Sequence, residues 1–417
     1  MSATTLTLLA LNAVTFSSTT DYDDLGRVVA VRGNNGQNVR YAYDAEGRIT
    51  EITDSQGRKT VRAYDARGRL VTSTDANGGV ITFAYDADDN VAQVIDPRGL
   101  VTAYEYDGFG QLWKQISPDT GTTTYQYDAA GQRTGMTRND GGTTVYQYDG
   151  LGRLVGALAD DQSQSYSYDW CSRGIGRLCG ISAPNNSTHF AYTPEGQLTI
   201  RRDFIIVGGQ QSDDWTLYGY DSIGRLNSIT YPDGVAVGYG YSGGYLSAMS
   251  VNMNGNLRPV INNVNFQPFG QRRSFNYGNG AYRGYEFDLD GRLTTMSVRQ
   301  GNEVGTPLSY WDYRYTADNQ ISQIADAVNS NLTQDFGYDA LGRLTKVVRY
   351  GVTNQLSYDR NGNHDRFIDG TNTTQYTIEP DSNRVLSYAS TAYGARQYQY
   401  DALGNRLRAA NKTALYT

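Results

Sequence analysis

The sequence predicts an all-β ribbon of short antiparallel hairpins. Three observations carry that prediction: a Tyr-Asp pair that recurs every 21 residues, a turn signal every 10 or 11 residues, and segments of about seven residues between turns. Tyr22, Tyr43, Tyr64, Tyr85, Tyr106, Tyr127 and Tyr148 keep the long period, and each is followed by Asp. The turn signal Asp-x-x-Gly occurs twice per unit, at Asp44 to Gly47 and Asp54 to Gly57, then at Asp65 to Gly68 and Asp75 to Gly78, and again at Asp96 to Gly99 and Asp107 to Gly110. The segments left between such turns have the length of an ordinary strand and are too short for a stable helix.

Each turn has its own chemistry. In Asp44-Ala45-Glu46-Gly47-Arg48, the Asp carboxylate can accept a bond from a backbone N–H two residues on. Gly47 can take the left-handed conformation that closes a three-residue loop with a bulge. Such a loop sets Asp44 opposite Arg48, and the pair recurs as Asp65 with Arg69, Asp149 with Arg153, Asp221 with Arg225, Asp288 with Arg292 and Asp339 with Arg343. Cross-strand pairs of opposite charge fix register.

Along the chain, residues 1–21 are expected to be a leader or an unpaired N-terminal segment, and residues 22–417 one continuous repeat domain without an internal boundary. The 21-residue units run regularly to about residue 168, and longer loops follow. The register stretches through Tyr192, Tyr220 and Tyr241, Phe replaces Tyr at Phe266 and Phe287, and Tyr315, Tyr338, Tyr358 and Tyr400 resume the motif. Ile378-Glu379-Pro380-Asp381-Ser382-Asn383-Arg384 fills the slot between the last two, for about 17 units in all. Loops at hairpin tips are expected at Asn185 to Ser187, Ile205 to Asp214, Asn252 to Asn263, Arg299 to Pro307 and Asp326 to Thr333. They are either tolerated insertions or contact surfaces.

Alternation places Val39, Tyr41 and Tyr43 on one face and Arg40, Ala42 and Asp44 on the other. In the second strands, Ile49 with Ile52, Val91 with Val94 and Leu112 with Ile116 mix odd and even spacings, so bulges are expected there and the faces stay unassigned. About 34 strands at ~4.8 Å make a ribbon on the order of 160 Å long. With no helix to cover its apolar face, the ribbon is expected to curl into a partial shell or a spiral. Tyr suits that sheet, because its ring packs on a neighbour while its hydroxyl stays hydrated. The chain uses 35 Tyr against 11 Phe and four Trp.

Composition excludes several classes. Hydrophobic residues at 39% and charged residues at 19% do not describe a disordered chain, and no stretch approaches the ~20 apolar residues of a spanning helix. The net charge of -7 is spread over Asp-led turns and Arg-led strand starts, leaving no basic patch for nucleic acid. Cys171 and Cys179 either bridge across a hairpin, which implies an oxidising compartment, or serve as two small apolar residues. The apolar run Leu6 to Val14 has no Lys or Arg before it and no clear cleavage site after it. It is open to three readings: a signal peptide, an unpaired leading strand, or the interior of a longer polypeptide.

Nothing in the sequence assembles a reactive site. His189 and His364 are the two histidines, without His-x-x-x-His or Cys-x-x-Cys spacing for a metal. No segment resembles a nucleophile elbow, and the many Asp residues are explained by their fixed place before Gly in turns. The loop Asp359-Arg360-Asn361-Gly362-Asn363-His364-Asp365 has the outline of a calcium loop, but it lacks flanking helices and fits the repeat turn. No catalytic, cofactor-binding or metal residue is therefore assigned, and neither enzyme activity nor a cofactor is expected.

The recurring Tyr-Asp-x-x-Gly-Arg-Leu, at Tyr148 to Leu154, Tyr220 to Leu226 and Tyr338 to Leu344, resembles the Rhs or YD-repeat family over nearly all of Tyr22 to Leu407. The resemblance implies a β-strand shell spiralling around a hollow interior, as in bacterial Rhs polymorphic toxins and the cocoon of insecticidal toxin complexes. Animal teneurins are cell-surface relatives. Such shells enclose or present a toxin carried at the C-terminus of the same or a partner chain. The Rhs-associated core has no counterpart here: the one Asp-Pro, Asp96-Pro97, belongs to a repeat turn, and the sequence stops at Thr417. The expectation is a non-catalytic shell segment of a bacterial polymorphic toxin, secreted or at the cell surface. It would lack the core and the toxin tip, pair with the remaining shell or core, and carry a toxin cargo polypeptide. The alternative is an extracellular module whose exposed Tyr, Trp and Asn side chains bind carbohydrate or a cell-surface ligand.

Overall fold

The computed structural model describes residues 4–7, 17–160, 162–268 and 270–407. These residues hold 36 β-strands and one short 3-10 turn, Ser330–Leu332, so the chain is all-β as expected. The run Leu6 to Val14 lies mostly outside the described residues. Residues 17–21, expected within a leader or unpaired N-terminal segment, belong to the strand Ser17–Tyr22, which pairs with Val28–Arg32 because the strand leading to each Tyr-Asp runs several residues back from its Tyr. By packing, the chain forms two compact units: residues 1–123, 285–297 and 307–417 make the first, and residues 124–284 and 298–306 the second. The repeat spacing carries no mark of this division.

The hairpin of Asn38–Tyr43 and Ile49–Thr53 shows how one unit is built. The Asp44 N–H donates to the Arg48 carbonyl at 3.0 Å and the Gly47 N–H to the Asp44 carbonyl at 3.1 Å, with Gly47 at φ +84. One Asp44 carboxylate oxygen accepts the N–H groups of Glu46 and Arg48 at 3.1 and 2.8 Å, and the other accepts Arg48 Nε at 2.7 Å. The side chain therefore satisfies donors that the ladder cannot reach.

The expected bulges fall beside these turns. Ala42 lies opposite Glu51 but Tyr43 opposite Ile49, so Thr50 is the extra residue. The offset puts Ile49 and Ile52 opposite Tyr43 and Tyr41, on one face despite their odd spacing. Val91 and Val94 likewise oppose Tyr85 and Phe83. Leu112 and Ile116, opposite Tyr106 and Ala103, lie on different faces. Val39, Tyr41 and Tyr43 are half-buried, while Arg40 and Ala42 are exposed.

The tyrosine hydroxyl does not stay hydrated as expected. Pairing between Val28–Arg32 and Asn38–Tyr43 ends at Ala30 with Arg40, which leaves the Val28 carbonyl beyond the ladder. Tyr43 donates its hydroxyl to that carbonyl at 2.6 Å. Tyr64 does the same to Ile49 at 2.8 Å and Tyr85 to Leu70 at 2.7 Å. In the second unit Tyr168 bonds Leu154 and Tyr241 bonds Leu226, and in the later stretch of the first unit Tyr358 bonds Leu344 and Tyr400 bonds Val385. The Arg of the preceding turn lies over the same ring, Arg27 on Tyr43 at 4.6 Å and Arg69 on Tyr85 at 4.4 Å. Each unit thus caps the one before it. Apolar burial is scant by comparison: Ala30, Cys179, Val264 and Phe275 are the buried apolar side chains among the described residues.

Two expected loops are strands. Leu198–Val207 and Gln210–Tyr220 continue to a two-residue turn at Gly208-Gly209, and Tyr245–Met253 and Asn256–Phe266 to one at Asn254-Gly255. Both central residues of each turn have positive φ, the geometry that matches strand twist. Residues 300–306 form a loop as expected, and the loop between Ile321–Asp326 and Gln334–Tyr338 contains the 3-10 turn. The open question of the cysteines closes: Cys171 and Cys179 are bonded, with Cα atoms 5.3 Å apart, across the enlarged turn between Gln164–Tyr168 and Leu178–Ala183.

Replacing Tyr64 by Phe strips the Ile49 carbonyl of its donor and should lower stability by about 1 kcal/mol in urea denaturation. Tyr393→Phe, at an exposed tip, should leave the curve unchanged. Equal effects at both positions would contradict the role given to the hydroxyl.

Candidate functional site

Because hairpins alternate, Tyr-Asp turns gather on one edge of the ribbon and the intervening turns on the other. In the first unit, intervening turns of residues 17–123 bond turns of residues 288–384 in the same order along both stretches. At the first position, the Asn34 N–H and side-chain amide donate to Asp290 Oδ1 at 2.7 and 2.9 Å, and the Asn35 amide bonds the other oxygen. Next, Gln37 Nε2 donates to Asn319 at 2.8 Å and the Ser55 N–H to Asp318 at 2.9 Å. Arg58 pairs with Asp318 and donates to the Asp339 carbonyl at 3.1 Å.

Further along, Arg98 donates to the Ser382 and Glu379 carbonyls at 2.6 and 2.9 Å and lies 3.4 Å from the Asp359 carboxylate. The Asn361 amide bonds the Asp96 carboxylate, and the Asn383 N–H donates to Asp119 at 2.6 Å. Turn tips carry backbone groups that no ladder pairs, and this seam satisfies them across the two stretches. The Arg58 and Asp318 side chains are 17% and 11% exposed, so their pairing is shielded from solvent. Burial alone would raise the Asp290 carboxyl, but the Asn34 N–H and the amides of Asn35, Asn34 and Gln37 outweigh it and hold the group below its ordinary value.

No site residue was assigned from the sequence, and the seam went unforeseen. Its partners stand more than 250 residues apart in sequence, and no local pattern couples them. The available signal was the third turn position, where Asp290 and Asp318 stand in place of the apolar Leu25, Phe109, Leu151 and Ile223 of other units. His189 and His364 are not brought together: His189 packs beside Trp170 and Phe204, and His364 against Tyr358. Asp359 to Asn363 forms the ordinary repeat turn, with the Asp359 carboxylate accepting the N–H groups of Asn361 and Asn363 at 2.9 Å. Among the described residues, no three His, Cys, Asp or Glu side chains gather as a metal site.

Comparison with known proteins gives this architecture a relation. Residues 3–161 match the Teneurin YD-shell family. The Tc holotoxin pore of Photorhabdus luminescens aligns with a TM-score of 0.80 and 17% identity over 94% of this chain and 23% of that one. The TcdB2-TccC3 crystal structure aligns with a TM-score of 0.76 and 16% identity over 97% of this chain and 27% of that one. The chain thus spans about a quarter of the length of these solved chains. No curated protein matches it in sequence. The stretch that matches that family holds the regular Tyr-Asp units, and the same turn and hydroxyl geometry continues through both units to Tyr400 and its turn.

The turn carboxylates make an acid-sensitive set. At Asp65, Asp149 and Asp221 the backbone N–H of the Arg four residues on lowers the carboxyl, burial opposes it, and the guanidinium lowers it further. Folded values below the unfolded value of about 4 mean that the stability they add is full above that pH and lost as pH falls through the folded values. Thermal melting should therefore hold steady above about pH 5 and fall steeply below about pH 4. A melting temperature that stays flat down to about pH 3 would contradict the assignment.

Proposed function

We propose that this YD-repeat segment is a stretch of non-catalytic shell wall that encloses or carries a toxin or effector polypeptide. The observation that supports this reading best is the seam of the first unit. Ribbon stretches joined edge to edge by Arg58, Arg98, Asp290, Asp318 and Asn383 make a continuous wall out of strands that bury little apolar surface of their own. Likeness in fold to the Tc holotoxin chains favours a toxin-carrying wall over a free-standing module. Its partners are then the remaining shell or core and the cargo itself. The setting is secretion or display by a bacterium, in an oxidising compartment where the Cys171–Cys179 bond persists.

The test is shielding. In the complex of this chain with its cargo, trypsin should cut the cargo far more slowly than it cuts free cargo. Arg58→Ala combined with Asp318→Ala should open the seam and restore much of the cleavage rate. Cargo cut equally fast inside and outside the complex would refute the enclosing role.

A further inference from the structure

The second unit carries a group of side chains that the wall does not use. His189, Arg202 and Trp215 lie directly opposite one another across three adjacent strands, Asn186–Tyr192, Leu198–Val207 and Gln210–Tyr220. By alternation, Phe204 and Ile206 share the face of Arg202, and Gln211 and Asp213 share the face of Trp215. This is the face opposite Tyr192, whose hydroxyl donates to the Leu178 carbonyl at 2.6 Å as Tyr64 and Tyr85 do to theirs. The long hairpin ending at Gly208-Gly209 thus extends a second, differently furnished surface beyond the repeat.

The rings on that surface are held in place. Arg202 lies 4.4 Å from the ring centres of both Phe204 and Trp215, and Asp213 grips its guanidinium with two bonds of 2.7 and 2.6 Å. Trp170 meets His189 edge-on at 5.3 Å, and His189 meets Phe204 at 5.4 Å. The Trp170 indole N–H is fixed on Ser167 at 2.9 Å, beside the turn that the disulfide closes. Two of the four tryptophans of the chain are therefore ordered yet 57% and 41% exposed. Beside His189, the ring that Trp170 meets, opens a depression of about 410 Å³, with Phe204 and Ile206 as its apolar part and His189, Asn185, Asn186 and Gln211 as its polar rim.

We propose that this face binds a neutral oligosaccharide. A pyranose ring has a flat C–H face that packs on an aromatic ring and a rim of hydroxyls that pairs with planar amides, and the surface offers both. Exposed aromatic rings held rigid in advance lose little freedom on binding. The charges of Arg202 and Asp213 cancel within their own pair, so the site favours an uncharged ligand over an acidic one.

The test uses the whole chain titrated with cellohexaose, maltohexaose, mannohexaose and chitohexaose at millimolar concentrations, read by tryptophan fluorescence and by calorimetry. At least one should bind and shift the emission. Trp215→Ala should weaken that binding by an order of magnitude, and Gln211→Ala, at the hairpin tip, several-fold with the melting curve unchanged. Failure of all four sugars to bind would overturn the proposal, as would binding that neither substitution alters or tighter binding of hexagalacturonate than of any neutral probe. None of these results bears on the shielding of cargo, so the two readings fail separately.

Discussion

The structure depends on a hydrogen bond that begins as a defect. A bulge beside the Tyr-Asp turn, as at Tyr43, Tyr64 and Tyr85, goes with strand pairing that ends early and leaves one backbone carbonyl without a ladder partner. Left unpaired in a half-buried sheet, each such group would cost about 1–3 kcal/mol, and the cost would recur with every unit. The tyrosine of the next unit removes it by reaching that carbonyl with its hydroxyl. Phe packs equally well but cannot make the bond, which gives the chain its excess of Tyr a physical reason. Since the Arg of the preceding turn covers the same ring, neighbouring units are coupled without a deep core.

How far this was legible in the sequence follows from the range of each interaction. The Asp44 to Arg48 turn, the strand lengths and the positive φ of Gly47 are set by residues within one hairpin, and they could be read from it. The bulge was visible as the odd spacing of Ile49 and Ile52, although only pairing assigns their common face to the side of Tyr41 and Tyr43. The hydroxyl bond was not, because its acceptor becomes free only once the bulge has shortened the ladder. The stretched spacing of the motif implied loops around Gly208-Gly209 and Asn254-Gly255, whereas the two-residue turn signal at both pointed to the long hairpins that form. The seam and the aromatic face of the second unit arise from pairing across strands and between distant stretches, and local pattern is silent on both.

A wall built this way separates duties by edge and by face. Turn tips, which elsewhere would be solvated, supply the donors and acceptors of the seam through Asn34, Arg58, Arg98 and Asp119. The half-buried Tyr face stabilises the ribbon, while the opposite face is free to vary, as it does around Trp170 and Trp215.

Hydrogen exchange of the native chain tests this account most directly. If units are held by their turns and tyrosines, the amides of Asp44, Gly47, Asp65, Gly68, Asp149 and Gly152 should exchange as slowly as mid-strand amides of the same hairpins, with similar protection from unit to unit. Protection confined to a few strands around Val264 and Phe275, with turn amides exchanging freely, would show instead that a small apolar core carries the fold.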